Sequence, residues 1–102
     1  VSGSGPAYYF LMMEAMMTGA QELGLSAQVA QQLVLQTAIG AAQMAQQSDQ
    51  TPEQLRIAVT SPKGTTEQAL NTFNKGGFSA LCGQAMTAAY HRSKELAQLF
   101  KA

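Results

Sequence analysis

Charge is what this chain has least of. Of its 102 residues, 12% are Asp, Glu, Lys or Arg, about half the share carried by an ordinary soluble domain. Six cations balance six anions, so no long-range field exists to recruit nucleic acid or an anionic membrane. Long apolar runs are missing too. The most apolar stretch, AYYFLMMEAMM from Ala7 to Met17, is interrupted by Glu14, and a span needs roughly 20 predominantly apolar residues. It reads as a buried helix, and no membrane association is expected. No basic start leads into an apolar stretch with a small-residue cleavage site, so no signal peptide is read. The single cysteine, Cys82, excludes an intrachain disulfide and gives no reason to expect an oxidising compartment. The expected location is cytoplasmic. The single histidine, His91, has no Cys, Asp or Glu at ligand spacing around it, which leaves no metal site. No stretch alternates as a strand would, and no internal repeat occurs.

What remains is a chain of helix formers punctuated by Gly, Pro and capping residues. Pro6 suits a first helical turn, with Ser4 or Gly5 in the capping region, and Ala7 to Leu23 is nearly all apolar. Gly24 ends that helix as a left-handed residue, with Leu25 folding back. Ser26 caps a second helix, whose Val29, Leu33, Thr37, Ile39, Ala42 and Ala45 follow helical spacing. Its Ala and Gly content leaves a smooth surface for a close partner. After the linker SDQT at 48 to 51, Thr51, Pro52 and Gln54 start a short third helix, closed before Pro62. Thr65 and Gln68 repeat the capping-box spacing, Ala69, Leu70 and Phe73 form one apolar face, and Gly76-Gly77 stops that helix. A last helix begins near Phe78, with the stripe Phe78, Leu81, Cys82, Ala85, Met86, Ala89, Ser93, Leu96, Phe100. The fold class is all-α, one domain of about five helices over residues 1 to 102. So few polar side chains cannot comfortably cover its surface, which points to burial against another copy of the chain.

Most chemistry-bearing residues have ordinary explanations. The glycines of SGSGP lack the preceding strand, third glycine and acidic residue of a dinucleotide fingerprint. The methionines at 12, 13, 16 and 17 read as core filling, and Cys82 as a small buried hydrophobe. Glu14, a carboxylate within an apolar helix, must either reach water or find a partner. The stretch TSPKGTTEQAL, residues 60 to 70, is different. A helix start presents amides without intrahelical partners and a partial positive charge. Gly64 permits close approach, Ser61, Thr65 and Thr66 add hydroxyls, and Lys63 reads as a solvated loop lysine. Such a turn suits a carboxylate or phosphate. It is equally a turn in which Thr65 merely caps a helix, and the residues alone leave both readings open.

The run TSPKGTTEQAL, followed by Phe73 and GGF at 76 to 78, resembles the signature of pyrroline-5-carboxylate reductases. SGSGPAY resembles that family's entry into its first C-terminal-domain helix, and the similarity covers essentially the whole chain. The resemblance implies the last step of proline synthesis, hydride transfer from NADPH or NADH to 1-pyrroline-5-carboxylate. It implies an N-terminal Rossmann domain, absent from this chain, and an interlocked helical homodimer, possibly part of a higher oligomer. On this sequence Ser61, Gly64, Thr65 and Thr66 would bind the carboxylate of the cyclic imino acid, and Ser4, Gly5 and Pro6 would lie near the nicotinamide. No catalytic acid is identified, and no reductase activity is expected of these residues alone. Two alternatives accompany this expectation: a non-catalytic helical oligomerisation module, or the helical domain of another Rossmann-linked dehydrogenase of small acids.

Overall fold

A computed structural model describes residues 1–100. Among them are five helices and no strand: α1 (Gly5–Glu22), α2 (Ala27–Gln47), α3 (Pro52–Ala58), α4 (Thr65–Lys75) and α5 (Phe78–Leu99). The expected all-α architecture is the one observed. The chain divides into two units, Val1–Arg56 and Ile57 onward.

In the first unit α1 packs on α2. Pro6 sits in the first turn of α1, where its missing N–H is no loss. The helix ends in a Schellman motif: the Leu25 amide donates to the Ala20 carbonyl and the Gly24 amide to the Gln21 carbonyl. Gly24 takes a φ of 108° to make that closure, a value that a side chain would oppose. Ser26 then caps α2, its hydroxyl accepting from the Val29 amide at 3.2 Å. The start of α3 is closed from both sides. The Thr51 amide donates to Gln54 Oε1 at 2.9 Å, and the Gln54 amide donates to Thr51 Oγ1 at 3.2 Å, a complete capping box.

In the second unit α4 packs on α5 through the Gly76-Gly77 turn. Gly77 has a φ of 78°, and the turn sets the Phe73 and Phe78 rings edge to face, centroids 5.3 Å apart. That contact is the hydrophobic closure usual after a left-handed helix end. Farther along α5, Arg92 pairs with Glu95 at 2.9 Å and the Lys94 ammonium lies 4.7 Å from the Tyr90 ring centre. Both contacts lie on exposed residues, where such pairs contribute little.

Burial departs from the sequence expectation. Among the described residues only Gly5, Ala30 and Val34 are buried, all in the first unit. The stripe on α5 contains no buried residue, and Cys82, expected inside, is exposed. The physical reason is that α5 has one helical neighbour, α4, within its unit, so most of its circumference has nothing of its own to pack against. The accessible area is 8538 Å². Two separate compact bodies, each of half the chain's mass, would expose about 6,700 Å² together. Large apolar side chains are exposed in both units, among them Tyr9 and Leu11 in the first and Leu81 and Leu99 in the second. No helix among the described residues is long and apolar enough to cross a membrane.

Candidate functional site

The turn from Ser61 to Gly64 fixes how α4 begins. The Gly64 amide donates to the Ser61 carbonyl at 3.2 Å, closing a four-residue turn with Pro62 second and Lys63 third. Lys63 has a φ of 62°, the only positive value on a non-glycine among the described residues. Proline second and a positive φ third are the marks of a type II turn, whose third position normally requires glycine. Gly64 needs no special backbone angles, since its φ is −91° and its ψ −176°. Its space is tight: a Cβ there would lie 3.2 Å from the Ser61 carbonyl oxygen, so that carbonyl would have to give by a few tenths of an ångström.

Gly64 is thereby the N-cap, and Thr65 is the first helical residue. The capping box expected from Thr65 and Gln68 does not form. The Gln68 amide donates instead to the Gly64 carbonyl at 3.3 Å, as the first regular helical bond. With glycine at the N-cap no side chain caps the helix, and among the described residues the amides of Thr65, Thr66 and Glu67 have no protein acceptor. Ser61, Thr65 and Thr66 are exposed and Gly64 is half-buried. The four residues singled out from sequence thus lie together in one turn, with free backbone donors among them. The aligned peptide dipoles add about half a positive charge at this point. Chemically, the arrangement can receive a small anion through backbone amides and hydroxyls.

Sequence reasoning missed Glu67. Its carboxylate, half-buried, accepts the Lys63 amide at 3.1 Å through Oε2. The signal was present: counted from Gly64, Glu67 occupies the third helical position, where an acid reaches back in a capping box.

Ser4, Gly5 and Pro6 share the first turn of α1 in the other unit. The Gly5 amide is taken by the Val1 carbonyl, proline has no amide to offer, and the Ser4 side chain makes no capping bond. This turn therefore offers the Ser4 hydroxyl and the Pro6 ring, with no cradle of amides. Glu14 is exposed, which resolves its cost within this chain by access to water. No cluster of three or more His, Cys, Asp or Glu among the described residues is placed to hold a metal.

Residues 1–96 match the family model described as pyrroline-5-carboxylate reductase dimerisation. The chain belongs to this family. A pyrroline-5-carboxylate reductase of Pseudomonas aeruginosa is 57% identical over 98 residues, covering 96% of this chain and 36% of that protein. One from Pisum sativum is 46% identical over 96 residues, covering 94% of the chain and 35% of that protein. Among solved structures, the reductase of Coxiella burnetii superimposes with a TM-score of 0.91 at 51% identity, covering 94% of this chain and 36% of that one. The pyrroline carboxylate reductase of Plasmodium falciparum, solved with NADP bound, gives 0.90 at 37% identity, covering 92% and 36%. The chain spans just over a third of the length of these relatives.

Proposed function

We propose that this chain is the dimerisation and substrate-binding part of an NAD(P)H-dependent pyrroline-5-carboxylate reductase, which reduces 1-pyrroline-5-carboxylate to L-proline in the cytoplasm. Its working form is a homodimer, and a Rossmann domain elsewhere in the full-length protein carries the nucleotide. Family membership supports the reaction class and the self-association. The single observation that carries the site is the uncapped start of α4, where donors free on Thr65, Thr66 and Glu67 lie in one turn with the hydroxyl-bearing residues Ser61, Thr65 and Thr66. The starts of α1 and α5 also lack side-chain caps, but neither carries three Ser or Thr residues.

In this reading the substrate carboxylate lies over the α4 start. The Thr65 and Thr66 amides and the Ser61 and Thr66 hydroxyls donate to it, and Gly64 lets it approach the backbone. Each hydrogen bond to a charged group contributes roughly 1.5–3 kcal/mol where water is excluded, and closure of the full enzyme over these exposed residues would supply that exclusion. Anchoring the carboxylate fixes the ring, which turns positioning into rate. The turn at Ser4, Gly5 and Pro6 fits the edge of a nicotinamide, because it presents a hydroxyl and an apolar ring but no phosphate-binding amides. When bound, the reduced nicotinamide supplies hydride. This chain's residues hold the acceptor, and none of them is assigned as the proton donor.

The test is steady-state kinetics of the full-length enzyme carrying Thr66→Ala. Loss of one hydrogen bond to a charged ligand is expected to raise KM for 1-pyrroline-5-carboxylate about tenfold or more, with KM for the nucleotide little changed. An unaltered substrate KM removes the loop from the site and leaves α4 as a structural element of an oligomerisation module.

A further inference from the structure

We infer that Glu67 is a positioning residue that holds the substrate turn open by clamping the backbone amide of Lys63. The inference rests on the function proposed above for this loop. A type II turn asks for glycine at its third position, yet this chain has Lys63 there with a φ of 62°. Nothing in the Lys63 side chain offsets that conformation. Its amide, however, is held by Glu67 Oε2 at 3.1 Å, a charge-assisted bond from the first turn of α4 to the turn that precedes it. The clamp does two things at once. It keeps Lys63 left-handed, so that the Gly64 amide closes on the Ser61 carbonyl. It also directs the Glu67 carboxylate toward the Lys63 amide, leaving the Thr65 and Thr66 amides for a ligand. A carboxylate so close to an anion site repels the ligand, and the clamp on the Lys63 amide offsets that cost in a turn that has no glycine at its third position.

The experiment is a mutant cycle in the full-length enzyme, read as KM and kcat for 1-pyrroline-5-carboxylate. Glu67→Ala removes the acceptor and is expected to raise KM about fivefold, because losing the charge-assisted bond outweighs the relief of the carboxylate's repulsion of the ligand, with kcat within about twofold. Glu67→Gln keeps an acceptor oxygen and removes the repulsive charge, so its KM is expected at or below the parent value. In a Lys63→Gly background the turn no longer needs the clamp, and Glu67→Ala is expected to leave KM at the Lys63→Gly value or lower it. Should Glu67→Ala fail to fold, Glu67→Asp carries the same test, since it keeps the charge on an arm one methylene too short. An unchanged KM in the variants that lose the clamp overturns the inference, as does an equal penalty in the parent and Lys63→Gly backgrounds. Thr66→Ala, measured alongside, separates the two claims. If it raises KM while the Glu67 variants do not, only the clamp fails; if it does not, the site itself fails.

Discussion

At the scale of single residues, the α4 start is governed by two neighbours with opposite demands. Lys63 occupies a backbone region that costs a side-chain-bearing residue roughly 1–2 kcal/mol, whereas glycine there costs roughly 0.5–1 kcal/mol in chain entropy. Lys63→Gly is therefore expected to stabilise the protein by about 0.5–1 kcal/mol, measurable as a higher denaturant midpoint with unchanged slope. Gly64 is constrained by volume instead. Alanine tolerates its backbone angles, but the new methyl would meet the Ser61 carbonyl oxygen at 3.2 Å. Gly64→Ala is expected to displace Ser61 and raise substrate KM about tenfold, the equivalent of one bond to a charged ligand, while the helix still forms. Stabilisation by Gly64→Ala with normal kinetics would show that Ser61 is free to move.

Helix starts account for what could and could not be seen in the sequence. Thr51 with Gln54, and Thr65 with Gln68, have identical spacing, and only the first pair makes a capping box. The pattern names candidate side chains but does not say which residue takes extended angles. That was decided by Gly64, whose lack of a side chain lets the turn close one residue earlier and puts Thr65 inside the helix. The Schellman closure at Gly24 and the Gly76-Gly77 break were legible because positive φ values select glycine so strongly. The loop residues Ser61, Gly64, Thr65 and Thr66 were legible as a group, since helix starts concentrate hydroxyls and small residues. Glu67 was not, because the acid that reaches back is recognised only once the cap is known. The contrast can be tested by thermal unfolding: Thr51→Ala should cost about 1 kcal/mol, whereas Thr65→Ala, which loses no cap, should cost well under half of that. Equal losses would mean that Thr65 caps α4 after all.

Across the whole chain, low charge content and sparse burial describe one property. Tyr9, Phe10 and Leu11 are each at least 60% exposed, and three successive helical positions point in directions about 100° apart. A helix apolar around so much of its circumference is stable in water only when surrounded. The expectations of a buried α1 and of a buried stripe on α5 are not met within the described residues, where each helix has too few neighbours of its own to cover its apolar faces. Stability should consequently depend on concentration. For a dimer that unfolds as it separates, a tenfold increase in protein is expected to raise Tm by about 3 °C. A Tm independent of concentration, over a range in which the protein sediments as a monomer, would show that the chain is stable without a partner.

The central claim is that α4 begins with open main-chain donors in order to receive a carboxylate. A crystal structure of the full-length enzyme with L-proline bound tests it most directly. The expected result is a proline carboxylate oxygen about 2.7–3.1 Å from the Thr65 and Thr66 amides, with Gly64 still the N-cap. A proline carboxylate anchored on another element, with those amides facing only water or a protein side chain, would contradict it.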